Sequence, residues 1–133
     1  MRCGAPITIQ PLDVTHMMQG TPARLDAIKA LGNNAGAAVH AMLTFSEQFD
    51  LKKYGWEGAP LHDPTVIAYL LKPELFEGRL CNVEIETKSE LTVGMTVADY
   101  WHVTDRPRNA TFLRSGDADG FYALLTERLA RLP

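Results

Sequence analysis

The chain has little cysteine, no long apolar run and no excess of positive charge, and each shortage closes off a class of protein. Its only cysteines, Cys3 and Cys81, are too few for a disulfide framework or a cysteine-based zinc site, so a reduced, cytoplasmic protein is expected. No apolar stretch approaches the roughly 20 residues that span a bilayer. The opening Met1-Arg2-Cys3-Gly4-Ala5-Pro6 lacks the apolar core of a signal peptide. A formal charge of −3 gives neither nucleic acid nor an anionic membrane an electrostatic foothold. No glycine-rich phosphate loop appears, and Ser46 and Ser89 lack the glycine context of a nucleophile elbow.

What remains is a length suited to one domain, 133 residues, of which 46% are hydrophobic, enough for a real core. Ile7 and Ile9 alternate with Thr8 and Gln10 and predict a short strand running into Pro11-Leu12. Thr21-Pro22 starts a helix with Leu25, Ile28 and Leu31 on one face and Gly32 as its stop. Asn33-Asn34 opens a longer helix carrying Ala35, Ala38, Val39, Met42, Phe45 and Phe49 at helical spacing. Charged and glycine-rich residues from Asp50 to Gly58 follow as a loop. Farther on, Cys81, Val83 and Ile85 alternate with Asn82, Glu84 and Glu86 as in a half-buried strand. Leu91, Val93, Met95 and Val97 repeat the alternation after a polar turn at 87–90, which predicts a hairpin. Thr111-Phe112-Leu113 reads as a third short strand. A last helix has Phe121, Leu124, Leu125, Leu129 and Leu132 in one stripe, Asp117 or Asp119 at its start and Arg128 and Arg131 near its end, as the helix dipole favours. The whole reads as one α/β domain over 1–133, a short sheet with a hairpin and packed helices.

Pro60-Leu61-His62-Asp63-Pro64 carries the most chemistry. Pro64 fits a first helical turn, where its missing N–H costs nothing. Asp63 then takes the N-cap, its carboxylate aimed at free backbone N–H groups, and His62 stands in the preceding loop with its ring free to reach a ligand. The apolar run from Thr65 to Leu71 follows until Pro73 stops it. A histidine and a carboxylate at a helix mouth have the chemistry to hold a metal and to protonate a leaving group. They also read as an ordinary Asp-Pro helix start, with capping alone accounting for Asp63. Elsewhere the signals are plainer. Glu84, Glu86 and Glu90 read as a solvated face, and Asp117-Ala118-Asp119-Gly120 reads as a helix cap because the glutamate of a calcium loop does not follow. His16 reads as a structural hydrogen-bonding residue, and His40 and His102 have no triad partner.

Three ordered segments resemble the carboxy-terminal half of the inosine-uridine-preferring nucleoside hydrolases: Pro11-Leu12-Asp13-Val14-Thr15-His16, then Gly58-Ala59-Pro60-Leu61-His62-Asp63-Pro64, then Leu91-Thr92-Val93-Gly94-Met95-Thr96-Val97. Asn109-Ala110 and the Asp119-Gly120-Phe121 helix fit the family's end. Val93 departs from the pattern, since the family commonly has arginine there. The resemblance implies the carboxy-terminal part of a Rossmann-like nucleoside hydrolase fold and hydrolysis of the N-glycosidic bond of ribonucleosides. It implies Asp63 as a calcium ligand and His62 as the acid that protonates the departing base, with Tyr54 and Trp56 as candidates for base contact.

The family's Asp-Thr-Asp-Pro-Gly-type motif, which supplies the other calcium carboxylates and the water-activating base, is not in this sequence, nor is the later ribose-binding segment with asparagines and a glutamate. Calcium takes roughly six to eight oxygens, and Asp63 offers at most two. The chain alone is therefore expected to be inactive, either as a catalytic part that needs the other half or as a non-catalytic module that associates or binds nucleosides. A cut sheet should expose a strand edge near Ile7-Ile9 and apolar residues on the Val66–Leu70 helix, surfaces that favour a homo-oligomer.

Overall fold

The computed structural model describes residues 4–133, the side chains at 47–51 and 53 excepted. A mixed sheet of order β1-β4-β2-β3 is built from β1 (Thr8–Ile9), β2 (Phe76–Ile85), β3 (Thr96–Asp99) and β4 (Ala110–Gly116). β1 runs parallel to β4, and β2 is antiparallel to both β4 and β3. The helices are α1 (Leu12–Thr15), α2 (Pro22–Lys29), α3 (Asn34–Tyr54), α4 (Pro64–Leu71) and α5 (Ala118–Leu129), with a short 3₁₀ turn at Pro73–Leu75. This is the α/β architecture that the alternating and helical periods predict.

The main core lies where α1, α2, α4 and α5 meet one face of the sheet. Val14, Met18, Ile28, Phe76, Leu113, Phe121 and Leu124 are buried together there. Successive strand residues face opposite ways, so Leu113 joins this core while Ala110 and Phe112 face a smaller cluster with Cys81 and Val83. Burial pushes the Cys81 thiol up, and Asp99 adds to the effect, so this cysteine is an inert packing group. Asn33 ties the helices together. Its amide donates to the carbonyls of Leu129 and Leu132 at the end of α5, and its Oδ1 accepts from Gly36 N at the start of α3. Asp117 caps α5 by accepting from Gly120 N at 3.0 Å, the cap role read from the sequence.

Three sequence expectations need correction. The segment from Asp50 is not a loop, because α3 continues to Tyr54; Lys52 and Lys53 are good helix formers, and the glycine that ends the helix is Gly55, at φ 67°. The apolar face of α3 is only partly used: Ala35 and Val39 pack against the core, whereas Phe45 is 80% exposed, and Phe49 lies outside the described side chains. The second hairpin strand begins only at Thr96. Residues 91–94 form a turn, held by Val93 N donating to the Ser89 carbonyl and Gly94 N to that of Glu86, with Leu91 95% exposed. A turn at Gly94, φ 89°, breaks the alternation that suggested a longer strand.

Candidate active site

Two chain segments far apart in sequence are clasped to present His62. Leu61 N donates to the Met18 carbonyl at 3.0 Å and Gly20 N to the Ala59 carbonyl at 2.8 Å, around an antiparallel bridge between Gln19 and Pro60. The buried Tyr122 hydroxyl also donates to the Met18 carbonyl, at 3.1 Å; burial pushes its phenol up, so it stays a neutral donor. Gly58 makes the clasp sterically possible, since a Cβ there would lie 2.3 Å from the Gly20 oxygen.

Past the clasp, the His62 carbonyl accepts from Thr65 N and lies 2.6 Å from the fully buried Thr65 hydroxyl, which is also 2.6 Å from Gln10 Oε1. Gln10 Nε2 in turn donates to the Thr65 carbonyl. The stub after β1 thus fixes the first turn of α4. The exposed His62 ring meets Thr15 Oγ1 through Nδ1 at 2.8 Å. Thr15 is buried at the end of α1, so the imidazole is held by one nitrogen and Nε2 is left for another partner.

Asp63 occupies the N-cap position, but it does not cap. Its backbone is already helical, φ −61° and ψ −40°, and its side chain accepts no cap hydrogen bond. A capping side chain needs an extended backbone to turn back onto the N2 or N3 amide. The simple capping reading of Asp63 therefore fails, and its carboxylate is left without a hydrogen bond or ion pair among the described residues. Asp63, His62, Thr15, Gln10 and Thr65 line a recess of about 240 Å³.

Tyr54 and Trp56 come to the same place. Their rings stack 4.4 Å apart at 13°, and His16 packs edge-on to Trp56 at 4.8 Å and lies 5.7 Å from His62. His16 thus acts through ring packing, not through the hydrogen bond expected of it, and bridges the aromatic pair to His62. Nothing in the local sequence assigns Thr15 a role in the site; its one signal is its place beside His16 in the Pro11–His16 segment. Among the described residues no group of three His, Cys, Asp or Glu is placed to hold a metal ion. Asp63 supplies at most two of the six to eight oxygens calcium takes, so this chain's described residues do not by themselves fit calcium. No described helix is long and apolar enough to cross a membrane.

Known proteins match this chain along nearly its whole length. The chain is 48% identical over 130 residues to an uncharacterized protein of Schizosaccharomyces pombe, covering 98% of this chain and 42% of that protein. It is 46% identical to the pyrimidine-specific ribonucleoside hydrolase RihA of Shewanella oneidensis, covering 97% and 41%. The purine-preferring ribonucleoside hydrolase from Gardnerella vaginalis superposes with a TM-score of 0.82 at 25% identity, over 97% of this chain and 41% of that one. A plant nucleoside hydrolase, PpNRh1, shares the fold with a TM-score of 0.82 at 21% identity, over 97% and 42%. The chain thus spans about two fifths of the length of these relatives. The model of the inosine-uridine preferring nucleoside hydrolases matches residues 1–123, and the chain belongs to that family.

Proposed function

We propose that this chain, a single domain over 1–133, forms the carboxy-terminal part of a site that hydrolyses the N-glycosidic bond of ribonucleosides. His62 is the acid, Asp63 is one ligand of a calcium ion whose other ligands come from outside this chain, and Tyr54 and Trp56 face the base. The observation that carries the reading is the convergence of His62, held by Thr15 at 2.8 Å, with the Tyr54–Trp56 stack beside a carboxylate that has no structural duty. As the bond breaks, negative charge grows on the departing base, and an imidazolium Nε2–H can neutralise it. The ring then keeps its proton on Nδ1, where the Thr15 oxygen accepts it. A threonine oxygen at Nδ1 therefore suits the tautomer left after proton delivery. Stacked aromatic rings supply a flat apolar wall for a planar base.

With one carboxylate where calcium needs several, the chain alone turns nothing over. Purified chain incubated with calcium and inosine or uridine releases no free base; calcium-dependent release would overturn this claim. The role of His62 is read in a chimera in which this chain replaces the matching two fifths of the Shewanella oneidensis relative. The chimera releases base, and His62→Ala lowers its rate by roughly 10²–10⁴-fold. Full activity in that variant would remove His62 from the chemistry.

A second reading, a non-catalytic module that self-associates or binds nucleosides, draws on the apolar exposure of α4. Val66, Ile67, Leu70 and Leu71 are exposed, and Leu70 is 71% so. A groove of about 660 Å³ runs from Asp63 along this helix to Phe121 and Leu124. β1 also lies at the sheet edge. Both features favour a homo-oligomer, and sedimentation showing a monomer at high concentration would count against it. The low cysteine count, two in 133 residues, suits a cytoplasmic location.

A further inference from the structure

On the sheet face opposite the main core, two guanidiniums share one pair of aromatic rings. The Arg79 Cζ lies 4.5 Å from the Tyr100 ring centre and 4.9 Å from that of Trp101; Arg114 lies 5.0 Å and 5.8 Å from the same rings. Both arginines are exposed, and Trp101 is 66% exposed. The two rings stand at 84° to each other, and a guanidinium held against them by cation–π attraction keeps N–H donors for another partner. Neither arginine has an ion pair among the described residues, where the salt bridges join Arg24 to Asp119 and Arg131 to Glu127. Two like charges beside the same rings repel each other, and an anion between them would offset that repulsion.

Local irregularities on both sides converge on this spot. Leu113 pairs with Gly78 and Ser115 with Glu77, so Arg114 is the extra residue of a β-bulge, a device that re-aims a side chain. Gly78 permits it, because a Cβ there would lie 2.4 Å from the Phe112 oxygen and 2.7 Å from the Leu113 Cα. Opposite, the Asp99 carboxylate accepts from Val103 N, Thr104 N and the Thr104 hydroxyl at 2.7–2.8 Å, which fixes the turn that carries Trp101. That turn holds His102 at φ 57°, the one positive value among the described non-glycine residues. Backbone held this far from its ordinary basin gathers at functional places.

We propose that Arg79 and Arg114, held over the Tyr100–Trp101 pair, form a binding site for a phosphate-class dianion. Forked guanidiniums match the geometry of phosphate oxygens, and two of them match its charge. The organic group of a phosphomonoester would lie along the exposed indole of Trp101. The site is independent of the nucleoside hydrolase reading.

The test is calorimetric titration of the intact chain with inorganic phosphate and with phenyl phosphate at constant ionic strength, with the Trp101 indole N–H followed by NMR. Saturable binding is expected, with half-saturation at or below about 1 mM and a shift of the Trp101 signal. Arg79→Gln or Arg114→Gln weakens it by about tenfold or more, with circular dichroism reporting an intact fold. Tighter binding of phenyl phosphate identifies a phosphomonoester as the ligand class, and equal or weaker binding identifies free phosphate. No saturable binding, or equal weakening by Arg108→Gln on the exposed loop after Trp101, overturns the proposal.

Discussion

A methyl group added at Gly58 would sit 2.3 Å from the Gly20 oxygen, 2.5 Å from its carbonyl carbon and 2.8 Å from Thr21 N. All three are backbone atoms, so no side chain can swing aside. Ordinary carbon–oxygen contact begins near 3.3 Å, so the two segments must part by about 1 Å. That movement strains the Gly20–Ala59 and Leu61–Met18 hydrogen bonds. Each contributes about 1 kcal/mol net, and overpacking of this kind costs about 1–3 kcal/mol. Gly58→Ala should therefore destabilise the chain by roughly 2–4 kcal/mol, a fall in Tm on the order of 10 °C for a domain of this size. It should also shift the His62 ring away from Thr15. Urea unfolding gives the first quantity and the imidazole NMR signals give the second. Gly20→Ala is the internal control: its Cβ meets the Tyr122 hydroxyl at 3.2 Å and the Ala59 oxygen at 3.4 Å, so it should cost clearly less. A Gly58→Ala protein as stable as the parent, with unchanged His62 signals, would refute the clasp as the device that places the histidine.

The two aspartates at helix starts should part company on substitution. Asp117→Ala loses a formed cap and should cost about 1–2 kcal/mol, whereas Asp63→Ala loses no cap hydrogen bond and should cost about 0.5 kcal/mol or less through the helix dipole; equal costs in denaturant unfolding would contradict the geometry. Asp99 should make the turn that carries Trp101 acid-sensitive. Its hydroxyl and amide donors, Thr104 first and then Val103, hold its carboxyl below the usual range, with a smaller pull from His102. A folded pKa below the unfolded one stabilises the turn fully above about pH 4, and that support is lost as pH falls through the lowered value. Protection of the Val103 and Thr104 amides, taken relative to intrinsic exchange at each pH, should fall on acidification over that window and in Asp99→Asn at neutral pH; protection indifferent to both would refute the clamp.

Local patterns were readable where local forces decide. The stripe from Phe121 to Leu129 and the cap at Asp117 determined α5, because an amphipathic helix and its cap depend on residues within a turn or two. The alternation from Cys81 to Ile85 marked a strand and its buried Cys81 and Val83, although Asn82, expected outward, is buried and donates to the Pro107 carbonyl, while Ile85 is exposed; the three ordered segments determined the family. The segment from Pro60 to Pro64 likewise marked the helix start and its histidine. Tertiary structure decided what distance and backbone angle control. Thr15 reaches His62 across 47 positions, a contact made by the Gly20–Gly58 clasp and not by any local preference. Asp63 is left uncapping by one helical φ/ψ pair, at the turn whose Thr65 is hydrogen-bonded to the distant Gln10. Arg114 is aimed by a register shift against Gly78. Periodicity in a sequence reports which face of an element is buried; it carries no record of which distant backbone will lie against it.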